Sequence, residues 1–284
     1  MRKLILTLLV AFAVFAALAS PTSASHVLVD KPIAKELVAN SSDILDLGVI
    51  GPGQKVELVV GRGTGEMHAL YGNEKSWDQL NVDKDSLPSG WEGVDALVYE
   101  NPMKAFIIAA RDAPDGEYVF SLTAIDELEG TPPQVIKAKV TISRDVLDFE
   151  PVTKSVSAGG GQPAVYTFRL TNKASASDVF EISVSGGLPS RWTFSKQVFV
   201  PLNSEAEAQY EVVSEEYGKF PIKFKAVSLS SQEIYKETPA ELVVQSSLYL
   251  EAKATSHGIL LFPSVEQAIY SFIGFVANVA SYFF

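Results

Sequence analysis

Leu188-Pro189-Ser190-Arg191-Trp192 decides how this chain is read, because Leu87-Pro88-Ser89-Gly90-Trp91 is nearly the same phrase 101 residues earlier. A glycine-led stretch follows each copy: Asp115-Gly116-Glu117-Tyr118 after the first and Tyr217-Gly218-Lys219-Phe220 after the second, with the glycines 102 residues apart. Two landmarks at almost one offset point to a duplicated unit of about 100 residues.

Around these landmarks the hydrophobic pattern has a period of two. Tyr118, Phe120, Leu122 and Ala124 alternate with Val119, Ser121 and Thr123, and Ile136, Ala138, Val140 and Ile142 alternate with Lys137, Lys139 and Thr141. The second half repeats this with Tyr166, Phe168 and Leu170, then Phe180, Ile182 and Val184, then Ala206, Ala208, Tyr210 and Val212, then Phe220, Ile222, Phe224 and Ala226. Such runs, separated by Gly, Pro and Asp turns, are half-buried antiparallel strands. Nothing from His26 to Gln245 sustains a helical period. About seven short strands per 100 residues predict an immunoglobulin-like sandwich. The expected fold is therefore all-β: two tandem immunoglobulin-like β-sandwiches, 25–145 and 146–247, followed by a linker and C-terminal transmembrane helix over 248–284.

Both ends read as addresses. Met1-Arg2-Lys3 and the apolar run Leu4 to Leu18 form the basic and hydrophobic parts of a signal peptide, residues 1–24. Ala17-Leu18-Ala19 and Thr22-Ser23-Ala24 both offer a cleavage site, and cleavage after Ala24 is preferred over retention as an anchor. From Ile259 to Phe284 the one charge is Glu266. As a helix, Ser264 to Phe284 would span about 30 Å, one hydrocarbon thickness. Ser264, Gln267, Ser271, Gly274, Asn278 and Ser281 recur every three or four residues, a small and polar stripe suited to packing on another membrane helix, a second copy's included. The expected location is the cell surface, with the N-terminal domains outside.

The 284 residues contain no cysteine, so each domain must hold by packing alone. The formal charge is −11, and an acidic surface argues against nucleic acid as a partner. His26, His68 and His257 lie far apart, without a second ligand at metal spacing. Asp112, Asp115 and Glu117, and Asp83 with Asp85, lack the order of a calcium loop and read as solvated turns. Gly61-Arg62-Gly63-Thr64-Gly65 lacks the Lys-Ser/Thr of a phosphate loop and reads as a hairpin turn. No Ser-His-Asp constellation is visible, so the chain reads as non-enzymatic, with no cofactor and no metal. Asn40-Ser41-Ser42 is a glycosylation sequon, with Asn40 the acceptor.

Residues from about Phe149 to Gln245 resemble the NEW3/CARDB type of immunoglobulin-like domain found in secreted archaeal and bacterial surface proteins. The resemblance is carried by Gly161-Gln162, by Thr167-Phe168-Arg169-Leu170-Thr171-Asn172, by Phe180-Glu181-Ile182-Ser183-Val184 and by Leu188-Pro189-Ser190-Arg191-Trp192. The family usually has glycine where Arg191 stands, and the first copy keeps it as Gly90. The resemblance implies a non-catalytic module for display, spacing or adhesion, sometimes beside glycosidases. It assigns no site residues.

The first copy differs mainly between Gly61 and Asp85, where about seven extra residues bring Met67, His68, Tyr71 and Trp77. Insertions in a sandwich emerge as loops, so a partner contact is expected there. Two functions follow. The preferred one is a membrane-anchored adhesive, scaffolding or envelope-complex subunit. The alternative is an accessory carbohydrate-binding protein stacking a glycan on Trp77, Trp91 or Trp192, although reuse of Trp91 and Trp192 at equivalent places favours a core role for those two.

Overall fold

The computed structural model describes residues 25–38, 42–187 and 194–245. The signal peptide, Asn40, the stretch containing Arg191 and Trp192, and the C-terminal helix with Ser271, Gly274, Asn278 and Ser281 lie outside the described residues. Among the described residues no helix is long and apolar enough to cross a membrane. The chain divides into two compact units. Among the described residues, one takes those from 25 to 47 with Val56–Ile108 and Glu117–Val140; the other takes Gly48–Lys55, Ala109–Gly116 and those from 141 to 245.

The first unit is built on β1 (His26–Lys31), β2 (Lys35–Val38), β3 (Ile44–Ile50), β4 (Lys55–Val60), β5 (Gly63–Met67), β6 (Glu74–Ser76), β7 (Gln79–Val82), β8 (Glu92–Val94), β9 (Met103–Ile108), β10 (Gly116–Ile125) and β11 (Gln134–Ile142). One sheet runs β2-β1-β4-β9-β8, a second β3-β11-β10-β7, and β5-β6 forms a separate two-stranded ribbon. The alternation seen in the sequence is the alternation of burial: Phe120, Leu122 and Ala124 of β10 and Ile136, Ala138, Val140 and Ile142 of β11 are all buried. The inward faces of the two sheets, each hydrophobic at every second residue, bury themselves against one another.

The second unit follows the same plan with β12 (Leu147–Pro151), β13 (Ser155–Ala158), β14 (Pro163–Asn172), β15 (Asp178–Gly186), β16 (Lys196–Val200), β17 (Ser204–Val213), β18 (Gly218–Ser228) and β19 (Tyr235–Val244). Its sheets run β12-β14-β17 and β13-β19-β18-β15-β16. The core is aromatic. The Phe168 ring lies 4.6 Å from Phe224 and 4.7 Å from Phe149, and Tyr210 meets Phe224 edge-on at 5.5 Å. Such rings pack best offset or edge to face, and a few of them supply much of the buried area of a small sandwich. The Tyr166 and Tyr210 hydroxyls donate to the Glu241 and Phe194 carbonyls, so neither ring buries an unsatisfied polar group.

The duplication is visible in the backbone. Before β4 and before β14 the chain makes one and the same turn, with Gln54 N donating to Gly51 O and Gln162 N to Gly159 O. Gly53 and Gly161 occupy positive φ, +68° and +73°, where a Cβ would be strained. β10 and β18 both begin at the glycines that mark the repeat. The all-β immunoglobulin-like sandwich expected from the sequence is what both units form, three or more strands facing a sheet that carries the last two strands together. The units part company after β7 and β15. In the second, β16 pairs with β15; in the first, β8 crosses to the other sheet and pairs with β9.

Candidate functional site

The feature with the character of a binding site is one end of the first unit, where three loops meet. They are the inserted segment 61–78, the segment 95–102 and the segment 126–133. The register of β7 against β10 explains how they are held. Val82 faces Leu122 and Leu80 faces Ala124, all four buried. One period further out, the next inward positions are Asp78 and Asp126, and both are buried as well. Two carboxylates thus stand where the pattern asks for apolar side chains, and each must find hydrogen-bond donors.

The Asp78 carboxylate finds them in two of the loops, and the residue's backbone carbonyl reaches the third. Its Oδ1 accepts from the Arg62 guanidinium at 2.9 Å, and its Oδ2 accepts from Glu127 N at 3.0 Å. Its carbonyl accepts from Tyr99 N at 2.9 Å, and Arg62 Nε donates to the Trp77 carbonyl beside it. Asp126 closes its own loop, accepting from the backbone N–H groups of Leu128, Glu129 and Thr131 at 2.7–2.9 Å. Burial pushes its carboxyl upward, but these backbone donors outweigh burial and hold it below its ordinary value. Three further carboxylates act in the same way. Glu129 accepts from Ser76 N, Glu100 from Leu97 N and Lys104 N, and Asp95 from Val82 N. The Asp95 contact, with Ala96 N donating to Leu80 O, also covers the edge of β7 that β8 leaves open.

The insertion is a hairpin, and it corrects two expectations. Gly61-Arg62-Gly63-Thr64-Gly65 is not the turn: Gly63–Met67 is strand β5, paired with β6, and the turn lies beyond it at 68–73. Gly63 faces Ser76 and Met67 faces Glu74, so the glycine strand carries extra residues and bulges, with Gly65 at φ +76°. The bulge is occupied by the chain's own anion, Glu74, whose Oε1 accepts from Gly65 N at 2.7 Å. Trp77 is the second correction. It is fully buried and its indole N–H donates to the His26 carbonyl at 2.9 Å, so it anchors the hairpin and presents no ring face to a ligand. Trp91 is buried too, 5.2 Å from Tyr118 and 6.4 Å from Phe120. Its turn, closed by Trp91 N to Pro88 O, holds Gly90 at φ +80°, which is why this copy of the phrase has glycine at that place. Neither tryptophan offers a stacking platform for a glycan.

What the loops expose is aliphatic and tyrosyl. Leu70 is 82% exposed, Tyr71 77%, Leu128 74% and Leu97 73%, with Met67 and Tyr99 also outward. Of the four insertion residues expected on a loop, Met67 and Tyr71 are exposed, His68 packs at 4.6 Å on Tyr71, and Trp77 is buried. Tyr99 is held at φ +63°, a conformation costing a non-glycine residue about 1–2 kcal/mol, beneath the Arg62 guanidinium at 5.8 Å. Strain of this kind persists where the surroundings over-determine it, which is common at binding sites. Sequence reasoning missed Asp78, Asp126 and the whole 95–102 loop. The signal existed for the two aspartates, since each continues a period-two run of inward residues: Asp78-Gln79-Leu80-Asn81-Val82 and Leu122-Thr123-Ala124-Ile125-Asp126.

Among the described residues no three His, Asp or Glu side chains converge on a point that could hold a metal ion. Asp115 pairs with Arg144 and Glu117 with Lys139, and the Asp83 carboxylate accepts from Asp85 N.

No family model matches the chain, and no curated protein matches it. Among solved structures it is similar to the fibronectin(III)-like modules of Clostridium thermocellum CbhA, with 11% identity over 77% of this chain and 94% of that one, at a TM-score of 0.26. It is similar also to the D00-D0 domain of intimin, with 14% identity over 76% and 99% and a TM-score of 0.24. The D0-D1 domain of intimin gives 10% identity over 69% and 94%, again at 0.24. Scores this low carry no argument, and the immunoglobulin-like fold stands on the strand order and register of the chain itself.

Proposed function

We propose that this is a non-catalytic, exported cell-surface protein that acts in adhesion or scaffolding, or as a subunit of an envelope complex, and that its first unit presents the three-loop end to a partner. One observation carries the reading: large apolar side chains stand in water on three loops whose bases are tied together through Asp78 and Asp126. Isolated exposed apolar residues are ordinary, whereas a group of them on a pinned set of loops marks an interaction surface. In this reading the second unit is a spacer of NEW3/CARDB type. The C-terminal segment anchors the chain, its Ser271, Gly274, Asn278 and Ser281 packing on another membrane helix, and Asn40 carries a glycan where the host glycosylates.

The reading is tested on whole cells. The chain has no cysteine, so Leu70→Cys gives a single thiol. A membrane-impermeant maleimide should label it on intact cells, and the labelled chain should stay with the membranes through alkaline extraction. Labelling only after lysis would overturn the surface location, and release by alkali would overturn the anchor.

A further inference from the structure

We infer that the three-loop end of the first unit docks a cationic, amphipathic segment of a partner protein. The inference rests on the proposal that this end is a binding surface, and adds the chemistry of what it binds.

Charge makes the choice. The segments 61–78, 95–102 and 126–133 hold eight Asp and Glu against Arg62 and Lys75, a formal −6. Both cations are already paired within the site, Arg62 with Asp78 at 2.9 Å and Lys75 with Glu66 at 3.0 Å, and Lys84 from outside the segments pairs with Asp95 at 3.3 Å, which leaves Glu74, Glu100, Asp126, Glu127 and Glu129 as the remaining acids. The remaining carboxylates direct a negative field over the exposed Leu70, Tyr71, Leu97 and Leu128. A complementary surface therefore offers apolar side chains flanked by Lys or Arg, and such a partner is steered in by the field before the apolar contacts form.

The other occupants of an apolar tip fit less well. Membrane-inserting tips pair apolar residues with Lys or Arg that meet anionic lipid, and this tip has the opposite sign. A second copy of the chain is itself acidic, at −11 overall, so two tips meet with like charge. A glycan would have mainly the open Tyr71 ring to stack on, since Trp77 and Trp91 are buried, and the exposed leucines offer it no hydrogen bonds. Pre-organisation adds to the case. The loop backbone is held by the Asp78, Asp95, Glu100, Asp126 and Glu129 carboxylates, so a partner does not have to order it, which lowers the entropic cost of docking.

The test uses the full chain in lipid nanodiscs, with an environment-sensitive dye on Leu70→Cys and, as a control, on Tyr217→Cys in the second unit. The probes are two helical peptides of about five turns with one leucine pattern, one filled with lysine and the other with glutamate. The lysine peptide should shift the Leu70→Cys signal saturably and leave the Tyr217→Cys signal unchanged. Its affinity should fall at least about tenfold between about 50 and about 500 mM salt. Glu127→Lys should weaken it, and Tyr71→Ser with Leu97→Ser should abolish it, with the fold of each variant checked by circular dichroism. Equal response to both peptides, response at Tyr217→Cys, or insensitivity to salt overturns the inference. A Leu70→Cys shift produced by raising the protein concentration alone, by anionic vesicles or by soluble oligosaccharides, with none from the lysine peptide, overturns it in favour of that occupant. These outcomes are separate from the whole-cell labelling: a chain displayed at the surface whose tip ignores the lysine peptide would keep the proposed function and lose this partner.

Discussion

The two units can be compared pair by pair where β7 meets β10 in the first and β15 meets β18 in the second. Val82 opposite Leu122 in the first corresponds to Val184 opposite Phe224 in the second, and Leu80 opposite Ala124 to Ile182 opposite Ala226. One period further out they diverge: Asp78 and Asp126 in the first, Phe180 opposite Ser228 in the second. The second unit places a ring at this layer and its buried acid, Asp178, one period beyond, where the Ser228 and Ser230 hydroxyls donate to it. The first already has two carboxylates at this layer, with donors in the loops. The same frame thus carries its acids at different depths. In each unit a buried acid must recruit donors and so fixes the chain that supplies them, a single loop after β18 in the second and separate loops in the first.

The largest expected effect comes from forcing the first arrangement on the second unit. Phe180→Asp removes a fully buried ring and introduces a carboxylate with no loop donors assigned to it. Phe→Ala truncations alone cost about 3–5 kcal/mol, so the loss should be at least that large, read as the midpoint of denaturant unfolding of the second unit. A loss under about 2 kcal/mol would mean that this layer is not core.

Asp78→Ala is the next in size. It leaves Arg62 and Glu127 N without their acceptor, and since Arg62 is partly solvated the cost should be about 2–3 kcal/mol. The sharper readout is local: amide exchange should accelerate in 61–78 and 126–133, which the carboxylate joins, and change less in 95–102, which the retained backbone carbonyl holds. Acceleration in only one of the first two would show that the Asp78 carboxylate does not couple them.

Asp126 gives a smaller and pH-dependent effect. Its folded value lies below the ordinary 3.8, so the carboxylate's stabilising contribution is complete above that pH and disappears as pH falls through the lower folded value. Protection of Leu128, Glu129 and Thr131 amides should therefore survive mild acid and be lost only below the usual carboxylate range. Asp126→Asn, which sets an NH2 group against one of those donors, should cost about 1–2 kcal/mol and remove this dependence.

The smallest effect is expected at the tip. Leu70→Ser, Tyr71→Ser and Leu97→Ser should each change stability by no more than about 0.5 kcal/mol, because these side chains stand largely in water, Tyr71 giving up its local contact with His68. A substantial loss in thermal unfolding would make the exposed residues part of the fold and remove the reason to assign them a partner.

The sequence by itself determined the class of fold and its duplication. Alternation such as Phe120, Leu122, Ala124 or Ile136, Ala138, Val140 can be satisfied only by strands with one dry face, and Gly116 and Gly218 mark the same strand start twice. It also located an insertion and expected Met67, His68, Tyr71 and Trp77 alike on an emerging loop. It could not sort the insertion's own residues. Trp77 lies in the same polar, glycine-rich run as Tyr71, and only the carbonyl of His26, brought from 51 positions away, decides that one ring is buried and the other is not. The loop at 95–102 was unreadable for a related reason. β8 crosses to the other sheet, and Tyr99 joins the site through one hydrogen bond to the Asp78 carbonyl that no local pattern encodes. Periodicity reports which face of a strand is dry, because that is a property of neighbouring residues. Which loops converge at the strand ends, and which acid holds them, is a property of strand order, and only the tertiary structure decided it.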